Sequence, residues 1–315
     1  MYRLHLSCGR WLGSLGSAFS QIRASAVNGD AIVARVLSEA SAEVENVSRT
    51  RKSAVGEAIR SGNVQLLQTL MRAQASVNEA TSGESPSHMT AQKGDLGLLR
   101  FLISETASAN TSSSRTGQPL VSSAANQKDE VLQVLIRAQA AVDAQAQDGY
   151  SAVMSACARG YVSGFRMLLK ASRDRRFSVL CSVAAFNGQA SPLHELIKLL
   201  ADIHKSAPSG STPTCLAAQE GHAMAMPVLI GANVNLENID SGGQTPIMHA
   251  VGRGHVILVA LLTQGKADFT KRISAAPLLY IASRKGSAAV VEVLLEAQAD
   301  TQEGFKGYSS AFVAA

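Results

Sequence analysis

TPTCLAAQEGHAMAMPVLIGANVN, from Thr212 to Asn235, and TPIMHAVGRGHVILVALLTQGKADF, from Thr245 to Phe269, are two readings of one template. A Thr-Pro opens a short Ala-rich helix that ends in Gly-His. A longer apolar helix and a turn follow. A segment that returns at a fixed period is one supersecondary unit, which buries its apolar face only by stacking on its neighbours.

Outward from these copies, the glycine that closes the first helix serves as a marker. It falls at Gly29, Gly62, Gly94, Gly160, Gly188, Gly221, Gly254 and Gly286, with Gln127 in its place once, at spacings of 33, 32, 33, 33, 28, 33, 33 and 32. Before each marker lies a short Ala-rich helix, as at Ala217-Ala218 and Ala184-Ala185. After it comes a longer helix with apolar residues at helical spacing, such as Val290, Val291, Val293, Leu294 and Leu295. Thr212-Pro213 and Thr245-Pro246 read as helix starts. The hydroxyl accepts a backbone N–H there, and proline occupies the first turn, where its missing donor costs nothing. Ser85-Pro86 and Gln118-Pro119 are weaker versions.

Length and composition agree. At 315 residues a single core is near its upper size, and 46 % apolar content with only 4 % aromatics suits thin layers of helix on helix. A formal charge of +5, with acids and bases in every third of the chain, is no nucleic-acid footprint. Cys8, Cys157, Cys181 and Cys215 form no CxxC pair, which fits buried thiols in a reducing compartment. No stretch is apolar for the roughly 18 residues of a membrane span. The first 23 residues carry Arg3, Arg10 and Arg23 and no acid before Asp30. They read either as a cap over the first unit or as a mitochondrial-type leader.

These residues resemble the ankyrin-repeat family, whose unit runs G-x-TPLHLAA-x-x-GH-x-x-x-V-x-x-LL-x-x-GA-x-x-N. The resemblance covers residues 19 to about 315, with nine units and the start of a tenth, and leaves 1–18 as the leader or cap. It implies an all-α, helix-turn-helix solenoid with β-hairpin-like fingers. It also implies a concave surface of fingers and first helices that binds other proteins, and it implies no chemistry. On the family pattern His222, His255 and His88 are structural, with the first two bonding across the loop between units.

The chain departs from that pattern in three places. The glycine expected at the end of the second helix is replaced by Ser41, Gln74, Thr106, Gln139, Ser172, Leu200 and Gln298, and Gly231 alone matches. A side chain in the left-handed conformation costs on the order of 1 kcal/mol against glycine, so the units either end differently or carry strain. The spacing of 28 removes most of the fifth finger, within LLKASRDRRFSVL. NLENIDSGGQ, 235–244, is longer than its equivalents, offsets a short second helix, and reads as an exposed fingertip.

Candidate contact residues follow from charge. The notched stretch holds Arg166, Lys170, Arg173, Arg175 and Arg176. A series before the marker holds Lys93, Arg159, Arg253, Arg284 and Lys285 with Glu220, and Glu237 and Asp240 sit on the long fingertip. Both basic groups also read as cations answering helix C-termini. If one face binds a partner, it is the face of the marker series.

No HExxH, GxSxG, GxGxxG after a strand or phosphate loop occurs, and no cysteine has a histidine at a motif distance. The expectation is therefore a non-catalytic protein-binding scaffold or adaptor without metal or cofactor. Its partner is a protein, acidic in one reading, and it is a monomer in the cytoplasm, with the nucleus or mitochondrion as alternatives. Another reading makes it a fragment of a larger kinase, channel or acyltransferase. GFKGYSSAFVAA opens a tenth unit, with Gly307-Tyr308-Ser309 matching G-x-T and Val313-Ala314-Ala315 matching its first helix. A third reading is an array drifting without selection.

Overall fold

The computed structural model describes residues 54–72, 75–78, 83–111, 117–173, 176–207, 210–302, 304–305 and 308–309. The N-terminal leader or cap, the first unit, Ser41, Gln74, Arg175 and the helix expected at 310–315 lie outside them. The described residues form sixteen helices in eight pairs. These are α1 (Ala54–Ser61) and α2 (Val64–Arg72), α3 (Pro86–Lys93) and α4 (Leu96–Ser104), α5 (Pro119–Ala125) and α6 (Asp129–Arg137), α7 (Ala152–Ala158) and α8 (Val162–Ala171). They continue as α9 (Phe177–Phe186) and α10 (Ala190–Lys198), α11 (Pro213–Glu220) and α12 (Met226–Gly231), α13 (Pro246–Arg253) and α14 (Val256–Gln264), α15 (Leu278–Arg284) and α16 (Ala288–Glu296). Two hairpins complete the set: β1 (Arg272–Ile273) with β2 (Ala276–Pro277), and β3 (Gly304–Phe305) with β4 (Tyr308–Ser309). The chain divides within α7 into two compact bodies, ending at Val153 and starting at Met154.

Within each body first helices pack on first helices and second on second. In the first body α1 meets α3, α3 meets α5, and α4 meets α6. In the other, α9, α11, α13 and α15 form one row and α8, α10, α12, α14 and α16 another. The reason is the burial pattern. Eight leucines stand at one register, eight residues after the marker, and all are fully buried: Leu70, Leu102, Leu135, Leu168, Leu196, Leu229, Leu262 and Leu294. On the first helices small residues such as Ala58, Ala124, Ala184, Ala217 and Ala250 are equally closed, and they let neighbouring first helices approach.

Helix starts behave as the side chains require. Ser85 Oγ accepts the His88 N–H at 3.2 Å, and Thr212 Oγ1 accepts the Cys215 N–H at 3.3 Å. Prolines 86, 119, 213 and 246 each stand first in their helix. Gln118 gives no side-chain cap. At Thr245 the backbone N–H donates instead to Met248 Sδ at 3.3 Å.

The second helices end in the left-handed region despite lacking glycine. Thr106, Gln139, Leu200, Asn233, Lys266 and Gln298 all have φ between 55° and 66°. The next N–H then bonds back to the buried leucine's carbonyl, as in Ala140 to Leu135 at 3.0 Å and Ala267 to Leu262 at 2.9 Å. Gly231 is not the exception it promised to be. It is the last residue of the six-residue α12, and Asn233 takes the left-handed turn. Ser172 leaves α8 in an extended conformation, and only residues 172–176 connect α8 to α9, where 199–212 connect α10 to α11. The fifth connection is thus too short for a finger, as its spacing predicts.

Candidate functional site

The fingers are built on a common turn. Ala146, Ala207 and Asp240 each donate their N–H to the carbonyl four residues on, at 2.8, 2.9 and 3.0 Å, and Gly149, Gly210 and Gly243 close the turn with positive φ. Successive fingers are tied by a side-chain acceptor. Asn78 Oδ1 accepts the Ser108 N–H at 2.8 Å, Asn110 Oδ1 accepts the Ala141 N–H at 2.7 Å, and Glu237 Oε1 accepts the Asp268 N–H at 2.8 Å.

Glu237 therefore bridges two fingers, and its other oxygen pairs with Lys271 at 2.6 Å. Asp240 is also engaged. Its Oδ1 accepts the Gly242 and Gln244 N–H groups at 2.8 and 2.9 Å, and its Oδ2 meets His249 Nε2 at 2.7 Å. Burial opposes ionisation of Asp240, but the bonds from Gln244, His249 and Gly242 outweigh it and hold the carboxyl below its usual range. The His249 contact was not read from the sequence, because nine residues separate the partners and only the folded finger joins them.

The marker series has two fates. Lys93 Nζ donates to the Ile59 carbonyl at 3.1 Å and to the Arg60 carbonyl, and Lys285 Nζ donates to the Gly252 carbonyl. Each lysine thus answers the C-terminus of the preceding unit's first helix, rather than that of its own. Histidines do the same from two residues later: His222 Nε2 to the Phe186 carbonyl at 2.7 Å, and His255 Nε2 to the Gln219 carbonyl at 3.3 Å. In all four cases a carbonyl two residues before the marker is capped by the next unit. The bonds of His222 and His255 across the loop agree with the family resemblance.

Arg159, Arg253 and Arg284, by contrast, are exposed, and among the described residues their side chains have no internal hydrogen-bond or ion-pair partner. Glu220 lies in the same row, half-buried, and accepts from Gln219 Nε2 at 3.0 Å. Around the short fifth connection Arg173 and Arg176 are exposed, and each has internal interactions. Arg166 is held by Glu195 through two bonds, 3.2 and 2.8 Å, which tie α8 to α10. Arg159, Glu220, Arg253, Arg284 and Lys285 thus stand at the ends of first helices α7, α11, α13 and α15, with none at the end of α9, whereas Arg173 and Arg176 lie on the short connection after α8.

His88 and the three described cysteines are buried. His88 is enclosed, and burial lowers its pKa. Cys157, Cys181 and Cys215 are free thiols, and burial first of all pushes each pKa up, that of Cys181 to about 12. A thiol held protonated is a poor nucleophile. Among the described residues no cluster of His, Cys, Asp and Glu is arranged to hold a metal, and no helix is long and apolar enough to cross a membrane.

Known proteins match this architecture. The fold superposes on the crystal structure of the human ASB11 ankyrin repeat domain with a TM-score of 0.62 at 20 % identity, covering 69 % of this chain and 99 % of that one. At that identity the likeness concerns the fold alone. No curated protein sequence matches the chain. The family model for ankyrin repeats in three copies matches residues 87–178, 181–273 and 226–304, well over half of the sequence. With paired helices, capped first-helix ends and linked fingers repeating in step with those matches, the chain belongs to the ankyrin-repeat family.

Proposed function

We propose that the chain is a non-catalytic scaffold or adaptor that binds an acidic protein segment across its first-helix ends and fingertips. Ankyrin repeats are in general protein–protein interaction modules, and the specific reading rests on one observation. At a register where Lys93 and Lys285 are consumed by internal carbonyls, Arg159 and Arg253 stand exposed and unengaged, as does Arg284 beside Lys285. Arginine offers a planar fork that pairs with carboxylates in two bonds, which suits it to such a row. The buried free thiols fit a reducing compartment, and the cytoplasm is the proposed location.

The test is capture by the full chain in cell extract, with photo-crosslinkers at positions 253 and 284. A partner crosslinked at both positions, and captured at least about tenfold less by Arg253→Glu with Arg284→Glu at an unchanged melting temperature, supports the reading. Equal capture by the reversed variant, or crosslinks confined to the second helices, removes it. Tenfold corresponds to about 1.4 kcal/mol, within reach of two lost ion pairs at an interface.

A further inference from the structure

The second helices contain their own control. Four and eight residues after the marker, the residues are buried in every described unit, and Val290 and Leu294 of α16 are as closed as Leu258 and Leu262 of α14. Five residues after the marker the outcome depends on what comes next. Leu99 on α4, Phe165 on α8, Leu193 on α10, Met226 on α12 and Val259 on α14 are all fully buried, and each of those helices has the next second helix packed against it. The equivalent in α16, Val291, is only half-buried, and Leu295 one turn further is 42 % exposed. Among the described residues no helix follows Glu296. Ala288, Val291 and Leu295 instead line an open groove of about 570 Å³, which Glu292 and Glu296 border.

The hairpin that follows does not fill this groove. Phe305 of β3 packs edge-on against Tyr280 of α15, with ring centroids 5.7 Å apart, so it covers the first helix of the pair. The charge at the groove is also specific to this unit. Glu292 and Glu296 stand six and ten residues after the marker, one helical turn apart. The same two positions hold Gln68 and Arg72, Arg100 and Ser104, Gln133 and Arg137, Arg166 and Lys170, His194 and Lys198, Pro227 and Gly231, and Ala260 and Gln264 in the other described units. Among the described units, carboxylates hold these positions only in α16, which no described helix follows.

We propose that this groove is a docking site for an amphipathic helix of another protein, with apolar residues on one face and Lys or Arg flanking them. The shape follows from α4, α8, α10, α12 and α14, where the same surface receives the next second helix, and an apolar stripe laid into a groove is an established mode of peptide capture. The charge follows from Glu292 and Glu296, which favour a basic occupant. The same pair disfavours a second copy meeting this face with its own, since that would set carboxylates against carboxylates.

The experiment uses the full chain and a synthetic helical peptide of about 18 residues, long enough for five turns. Leucine stands at every third or fourth position with lysine on the flanks, and a twin peptide carries glutamate instead. Hydrogen exchange read by mass spectrometry and fluorescence anisotropy follow binding. The expected result is protection centred on residues 283–296 by the lysine peptide and at least about tenfold weaker binding by the glutamate twin. About tenfold loss follows in Leu295→Ser, and a smaller loss with a flattened salt dependence in Glu292→Gln with Glu296→Gln. Equal binding of both peptides, protection elsewhere, or no saturable binding overturns the proposal. Two further results overturn it by naming another occupant. One is concentration-dependent self-association that Leu295→Ser abolishes. The other is slow exchange of 283–296 in the free chain that is lost on deleting residues 310–315.

Discussion

Most described units turn through the left-handed region after both helices, α8 with its extended Ser172 being the exception, and the two turns obey different rules. After the first helix the residue is glycine at Gly62, Gly94, Gly160, Gly188, Gly221, Gly254 and Gly286, with Gln127 the one side chain. After the second helix it is Thr106, Gln139, Leu200, Asn233, Lys266 or Gln298, never glycine among the described units. The backbone conformation is the same, so conformation alone does not select the residue. What differs is the neighbour. A β-carbon on Gly188 would stand 2.6 Å from Nδ1 of His222, and one on Gly221 would stand 2.8 Å from Cε1 of His255. The second turn faces solvent, as the 92 % exposure of Leu200 shows. At Gly188 and Gly221 the next unit's histidine leaves no room for a side chain, whereas Gly62 and Gly286 face open space and, like the second turn, bear only the intrinsic cost of the conformation.

The largest effect expected from this contrast is at Gly188. Gly188→Ala combines the left-handed penalty with a clash against the His222 ring, and a loss of about 3 kcal/mol in chemical denaturation should follow. In a His222→Ala background the clash disappears, and the same substitution should cost only about 1 kcal/mol. Equal costs in both backgrounds would show that packing is not what selects glycine.

At the open turn the sign reverses. Leu200→Gly should raise stability by about 1 kcal/mol, since it relieves a strained backbone and removes an exposed leucine without uncovering any core. Gln139→Gly should do nearly as much. A loss at both positions would mean that the side chain after the second helix has a packing role the exposed geometry does not reveal.

His222→Ala by itself removes the bond to the Phe186 carbonyl at 2.7 Å and should cost about 1 kcal/mol. The smallest change concerns the finger, where Gly243 makes a third left-handed turn and Asp240 holds it. The Asp240 carboxyl is held below its usual range, so its contribution is present above the unfolded value of about 3.9 and is lost as pH falls through the folded value. The stability gap between wild type and Asp240→Asn should therefore persist from neutral pH to about pH 4 and close below it, read as urea midpoints. A gap that widened on acidification would contradict the assigned partners.

Much of this was legible in advance because stacking imposes a period. The spacing of 28 announced the short fifth connection, and the Ser-Pro and Thr-Pro pairs announced helix starts at Pro86 and Pro213. The marker cations were half-legible. Lys93 and Lys285 look like Arg159 and Arg253 in sequence, yet the lysines reach carbonyls of the preceding unit and the arginines stay exposed. Gly231 misled because it stands ten residues after the marker, at the end of α12, whereas the left-handed turn falls twelve residues after it, at Asn233 as at Leu200 and Lys266.

By itself the sequence determined the period, the pairing of a small-residue helix with a leucine-bearing one, and the unit that lost its finger, because these depend on residues within one or two turns of each other. The tertiary structure alone decided that the next unit crowds Gly188 and Gly221, which cations are free, how Asp240 meets His249, and that Val291 and Leu295 face an open groove. Most of those outcomes rest on contacts between residues about one repeat apart, and the Asp240 contact rests on how one finger closes. Such distances are set by how the units stack and fold, and no local pattern encodes them.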